Sequence, residues 1–189
     1  MSYLVWRAVF QDKFCALGAL HGVPSDEEIF SGISRADAFP EDAYYEMLAD
    51  HPKGIAVPDY VYSIIHYVVS RRLRDVLEPE LGASRVEFLP VKIKNHKGRF
   101  VQGDYFVMNS LDVIDAIDVG ASGGEFNPIA PTQLMSVEQI VLKVLPDRPV
   151  MFRPANWTRL IIVRRDVAEK LLAGGMTGLI FTELEDYMG

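Results

Sequence analysis

The chain has 189 residues, enough for one large domain, or one domain with a small extension, that buries about 70% of its unfolded surface without covalent staples. Ordinary proportions of hydrophobic (49%) and charged (24%) residues exclude a disordered or fibrous chain, and the single cysteine, Cys15, excludes a disulfide framework and fits a reducing compartment. The net charge of −7 sits mostly in the first third: residues 1–60 carry ten acids against four bases, most densely from Asp26 to Asp50. That surplus disfavours nucleic acid as a partner and suits a basic protein, or serves only as a solvated surface. The N-terminus lacks the basic run and cleavage site of a secretion signal, and no apolar stretch approaches the roughly 18 residues of a membrane span. The expectation is a cytoplasmic protein with no membrane contact.

In chain order, residues 3–10 alternate around Tyr3, Val5, Ala8 and Phe10 and predict a strand. Prolines and glycines punctuate residues 11–60. Within them Pro40-Glu41-Asp42 predicts the start of a short helix with Tyr44, Met47 and Leu48 on its apolar face. Ser70 is a good N-cap for a helix that buries Leu73, Val76 and Leu77 and stops before Pro79. A hairpin follows: Val91 to Lys94 alternates, Asn95-His96-Lys97-Gly98 turns, and Arg99 to Gln102 returns, with Gly103 bending the chain before Tyr105 to Met108. Residues 120–136 read as a loop, Ile140 to Leu145 and Val150 to Arg153 as strands. Asp166 and Glu169 resemble a capping box for a last helix that ends at Gly174 or Gly175.

Two stretches share one grammar. Val68–Leu77, Gly82 and Val86–Leu89 run strand, helix, glycine, strand, and so do Ile161–Leu172, Gly174-Gly175 and Leu179–Phe181. They look like an internal strand–helix–strand duplication, or two ordinary crossovers of similar composition. The expected fold class is α+β: one mixed, mostly antiparallel sheet with two or three short helices packed on it and one face of the sheet wet. Residues 1–60 form an acidic N-terminal region packed on a main domain of residues 61–189.

Chemistry-bearing patterns are weak. Gly120-Ala121-Ser122-Gly123-Gly124 has the letters of a nucleophile elbow, but Pro128 and Pro131 follow where a helix must start. Asp112, Asp115 and Asp118 recur every third residue, yet no histidine joins them as a ligand, and the intervening apolar residues make them an exposed edge. His21, His51, His66 and His96 lie far apart, and His66, in an apolar run, reads as a hydrogen-bonded core residue. No phosphate loop, dinucleotide fingerprint or zinc spacing occurs, so no catalytic residue, cofactor or metal is assigned.

Taken in order, Val69–Glu78, Val86–Val91, Tyr105–Asn109, Val113–Asp118 with Ser122, Phe152-Arg153, Ile161–Val163 and Leu171–Phe181 resemble immunity family eleven of bacterial polymorphic toxin systems, once a domain of unknown function. The resemblance covers about residues 60–186. Its motif positions are Ser70, Tyr105, Asn109, Asp118, Ser122 and Arg153, of unknown role. It departs from the pattern at Val163-Arg164, where a Val-Ser pair is expected and the helix loses a cap. The resemblance implies a non-enzymatic protein that binds and neutralises a cognate, basic toxin domain. It then gives the acidic, aromatic-interleaved stretch of Asp26, Glu27, Glu28, Phe30, Phe39, Glu41, Asp42, Tyr44 and Tyr45 the role of partner surface. Two other readings stand beside it: a small hydrolase with a spatially assembled site using Ser122 or a carboxylate pair, and a structural or adaptor subunit of a secretion or sporulation apparatus. A homo-oligomer is open, since the hairpin at 91–101 offers an edge to a second copy.

Overall fold

The structure is a computed structural model that describes residues 2–23, 29, 31–82 and 84–187. Its elements are β1 (Tyr3–Ala8), β2 (Ala16–His21), β3 (Tyr44–Met47), β4 (Tyr60–Ser63), β5 (Val68–Ser70), α1 (Arg71–Leu77), β6 (Val86–Lys94), β7 (Tyr105–Ser110), β8 (Val113–Ile114), β9 (Glu125–Phe126), β10 (Leu134–Ser136), β11 (Met151–Pro154), β12 (Ile162–Arg164), α2 (Arg165–Ala173) and β13 (Leu179–Glu183). The class is α+β, with two short α-helices among the described residues.

Among the described residues the single expected sheet is replaced by three. A five-stranded sheet runs β13-β1-β12-β11-β8, a closed barrel runs β2-β3-β6-β7-β5-β4, and β9 and β10 form a small pair. Pairing is mostly antiparallel, as expected; the parallel contacts are β8 with β11, β2 with β4 and β3 with β6. The last two close the barrel, and both depend on β2 and β3, so chain from either side of residue 60 builds it.

Two-residue periodicity sorts the strand side chains into three apolar layers. Val68, Val107, Leu89, Val91 and Ile93 point into the barrel with Leu17, Tyr45 and Val61. Val69, Phe106 and Met108, from the opposite faces of β5 and β7, meet Leu4, Trp6, Met151 and Val163 of the five-stranded sheet, together with both helices. Tyr3, Val5, Phe152 and Ile162 face the other way, onto Ile117, Leu134, Val137 and Ile140. The five-stranded sheet is therefore covered on both faces, and neither is wet. This explains why β1 carries four consecutive buried residues instead of a strict alternation.

The two strand–helix–strand blocks have the same topology. In the first, β5 and β6 lie on either side of β7, antiparallel to it and so parallel to each other, with α1 between them in sequence. In the second, β12 and β13 flank β1 in the same manner, joined through α2. The middle strand arrives by hairpin in one block and from the N-terminus in the other. The two helices pack together, with Leu73 and Leu77 of α1 in one apolar cluster with Val167, Ala168 and Leu171 of α2.

Local expectations met mixed outcomes. The Ser70 hydroxyl accepts a hydrogen bond from the Leu73 amide at 3.2 Å, α1 gives way to a 3-10 turn at Glu78–Glu80 around Pro79, and Gly103 bends the chain at φ 112°. The expected helix after Pro40 is instead strand β3. Pro40 to Ala43 forms a turn closed by the Ala43 amide on the Pro40 carbonyl, and β3 then pairs with both β2 and β6. The expected strand at 140–145 keeps only one isolated bridge, Leu142 with Ile117. The capping box is absent. Arg164 is the N-cap of α2 with no side-chain cap bond, and it holds the Asp166 carboxylate at 2.6 and 2.8 Å. That ion pair keeps the Asp166 carboxyl below its usual range.

One buried carboxylate ties the first block to the second. Asp59, just before β4, accepts from the Ser70 hydroxyl (2.9 Å), the Arg72 guanidinium (2.8 Å), and the Thr177 amide and hydroxyl (both 2.9 Å). Arg72 also donates to the Gly174 carbonyl at the end of α2. Beside this knot the Tyr60 amide donates to the Thr177 carbonyl, and Gly178 at φ 82° lies against the Tyr60 carbonyl.

Cys15 is buried in the barrel, and burial pushes its thiol up to about 12. The protonated, shielded sulfur is expected to resist a thiol reagent at pH 8 in the folded protein and to react fully in denaturant. Rapid labelling of the native protein would show that the barrel opens at β2. Among the described residues no helix is long and apolar enough to cross a membrane.

Candidate partner-binding surfaces

The acidic N-terminal surface is only partly visible: Asp26, Glu27, Glu28 and Phe30 lie outside the described residues. Phe39 is half-buried against the barrel core, while Glu41 and Asp42 are exposed on the turn before β3. Along β3 the side chains alternate. Tyr44 faces outward, stacked on His21 with ring centroids 4.8 Å apart, and the Lys94 ammonium lies 3.5 Å from its ring centre. Tyr45 points into the barrel, fully buried, with its hydroxyl 2.6 Å from His66 Nδ1. His66 is thus the hydrogen-bonded core histidine its sequence context predicts.

The parallel register of β3 on β6 sets Tyr44 beside Lys92 and Glu46 beside Lys94, and Lys94 forms an ion pair with Glu46 at 3.7 Å. One of the acids gathered in sequence, Glu46, is therefore met on this surface by a lysine from a distant strand. A cleft of about 430 Å³ opens beside it, lined by Glu41, Arg71, Lys92, Phe100, Asp104 and Tyr105, with Arg71 and Asp104 paired at 2.8 Å. Burial raises the Tyr105 phenol above its usual value.

The remaining family-motif positions hold the fold. The Asn109 amide, fully buried on β7, donates to the Ile33 carbonyl (2.9 Å) and Glu87 (3.2 Å), and Glu87 also accepts from the Arg35 amide and the Ser34 hydroxyl. This fastens the segment before β3 to the barrel. Arg153 on β11 is buried and, among the described residues, in no ion pair; it donates to the carbonyls of Ser110 (3.1 Å), Thr158 (2.7 Å) and Ile29 (3.5 Å), and lies over the Tyr67 ring. Burial lowers its guanidinium below the usual arginine value. The cation bridges the five-stranded sheet and the barrel through backbone dipoles.

Asp118 and Ser122 build a turn. The Asp118 carboxylate accepts from the Ala121 amide at 3.0 Å, and the Ser122 amide donates to the Asp118 carbonyl at 2.9 Å. The Ser122 hydroxyl is fully buried, donating to the Val141 carbonyl and accepting from the Val141 amide. It is a staple between two loops, not an exposed nucleophile, which removes the elbow reading. No histidine lines the cleft at Asp112, Val113 and Ile114. Asp112, Asp115 and Asp118 lie outside any helix, with Asp112 paired to Arg85 and Asp115 to Lys143. Among the described residues no group of three or more His, Cys, Asp or Glu could hold a metal ion.

Residues 120–136, expected to be plain loop, carry the β9–β10 pair, whose connection is well ordered by its own bonds. The Asn127 side chain accepts from the amides of Ile129 (2.8 Å) and Ala130 (3.3 Å), the Asn127 amide donates to Gln133 O, and the Gln133 side chain donates to Ala155 O. Phe126, Ile129 and Met135 are exposed there, Ile129 to 93%. A signal for this surface was present in the sequence: no Lys, Arg or His occurs from Phe100 to Leu142, against six acids. Tallying charge only by the first third hid it.

Among curated proteins none matches the chain. The profile of the immunity protein family Imm11 matches residues 26–186, beginning well before the resemblance visible from residue 60 and taking in β3 and the segment held by Asn109. The chain belongs to the Imm11 immunity protein family.

Proposed function

We propose that this protein neutralises a cognate toxin domain of a bacterial polymorphic toxin system by binding it, in the cytoplasm of the cell it protects, and without catalysis. The family match over residues 26–186 carries the reading. Two observations support binding over chemistry: Ser122, the nucleophile candidate, is buried in a structural role, and His66 is hydrogen-bonded to Tyr45 inside the barrel. The partner is a protein with a basic surface, which complements the chain's net charge of −7. The exposed part of the N-terminal patch, Glu41, Asp42 and Tyr44, is one candidate contact.

The test is protection. The C-terminal domain of the protein encoded beside this gene is expressed in a susceptible host, alone and with this chain. Growth arrest by the domain, relieved by the chain, is expected. Arrest that persists while the chain accumulates in folded form would overturn the reading.

A further inference from the structure

The geometry points to the β9–β10 hairpin and the turn beneath it as the principal docking surface, for a partner that presents an apolar recess rimmed by lysine and arginine. This rests on the toxin-binding reading and adds to it where the contact lies and what it recognises.

Three observations converge on this place. First, Phe126, Ile129 and Met135 are exposed to 48%, 93% and 53% on one short hairpin, and Ile129, at its tip, gains little for folding. Second, the tip is held in shape before any partner arrives. Pro128 and Pro131 restrict the backbone, Asn127 closes a turn around Ile129, and Gln133 anchors the returning arm to Ala155. A loop fixed in advance loses little conformational entropy on binding. Third, three carboxylates next to it are in no ion pair, while the neighbouring Lys143 is taken up by Asp115. Asp118 and Glu138 flank the supporting turn, where the Glu138 side chain lies against Gly123, and Glu125 precedes Phe126 on β9. All three are exposed, and none is in an ion pair among the described residues. A contact here therefore meets an apolar point beside three carboxylates that no cation of the described residues holds in an ion pair. On the β3–β6 surface, by comparison, Glu46 is already met by Lys94, and Lys92 stands beside Tyr44.

The motif positions Asp118 and Ser122 now have a role: they fold the turn that seats the hairpin. The buried bonds of Ser122 and the exposed Asp118 bond to the Ala121 amide hold the turn in shape.

The experiment measures affinity for the neighbour-encoded toxin domain with wild-type protein, Ile129→Asp, the double reversal Glu125→Lys/Glu138→Lys, and Ile64→Asp as an exposed apolar control on the barrel. Ile129→Asp is expected to weaken binding about 100-fold through faster dissociation, and the double reversal about tenfold through slower association. Ile64→Asp and the unfolding midpoints of all variants should match wild type. Binding of Ile129→Asp within about threefold of wild type would remove the hairpin while leaving the immunity reading intact. Failure of wild type itself to bind would defeat that reading and this inference together. Sedimentation of the chain alone covers the remaining occupant: a wild-type dimer that Ile129→Asp dissociates would assign the surface to a second copy and overturn the proposal.

Discussion

Asp59→Ala is expected to lower the unfolding free energy by about 3 kcal/mol, seen as a lower urea midpoint with an unchanged slope. The carboxylate is 8% exposed and accepts four hydrogen bonds, from Ser70, Arg72 and both the amide and hydroxyl of Thr177. An alanine leaves the Thr177 amide without its acceptor at the seam between the two strand–helix–strand blocks, where solvent replaces the lost partner poorly. Arg72 contributes less, because its side chain is 53% exposed and can return to water. Arg72→Ala should therefore cost under about 1 kcal/mol. Equal losses in the two variants would show that the ion pair, rather than the neutral donors, carries the stabilisation.

Gly178→Ala is expected to cost at least about 3 kcal/mol, for two separable reasons. Its φ of 82° lies in the left-handed region, and an added Cβ would sit 2.1 Å from the Tyr60 carbonyl oxygen and 2.7 Å from Pro58 Cβ. Backbone cannot rotate away as a flexible side chain can, so the last strand would have to separate from β4. Gly98→Ala separates the causes. Gly98 has φ 70° in the β6 turn, but nothing lies within 4 Å of its added Cβ. That variant should lose only the conformational part, about 1 kcal/mol. Equal thermal shifts for the two would mean that the seam yields and the close approach costs nothing.

Features decided within a few residues were legible in the sequence. Ser70 capping α1, Pro79 ending it, Gly103 bending the chain and the glycine stop after α2 all act locally, and each stands where the sequence puts it. The paired strand–helix–strand blocks were legible for the same reason. Pairings between distant segments were not. The barrel closes through β2 with β4 and β3 with β6, and nothing in either strand of a pair names the other. Residues 44–48 show the difficulty: Tyr44, Met47 and Leu48 fit a helical face, while Tyr45 and Met47 fit a strand face. Burial of Tyr45 and Met47 inside the barrel decides for the strand. Asp166 fits a cap by spacing, but Arg164 at two residues' distance captures its carboxylate.

The same division holds for the surface. Motif positions stood out in sequence but prove to be fasteners: Asn109 and Arg153 join the barrel to its neighbours, and Ser122 joins two loops. The exposed residues of the β9–β10 hairpin did not stand out, because a loop composition rich in Gly, Pro and Asn reads as flexible until its hydrogen bonds are seen. The acidic first third stood out, and one of its acids, Glu46, is answered by Lys94, which only the fold brings near.

The most direct test of the account is a titration of the purified neighbour-encoded toxin domain with the purified chain, followed by calorimetry and light scattering at low and high salt. A discrete complex of fixed stoichiometry is expected, with toxin activity abolished once every domain is occupied and association that slows as salt rises. A folded chain that leaves the domain unbound and fully active at several-fold excess would contradict it.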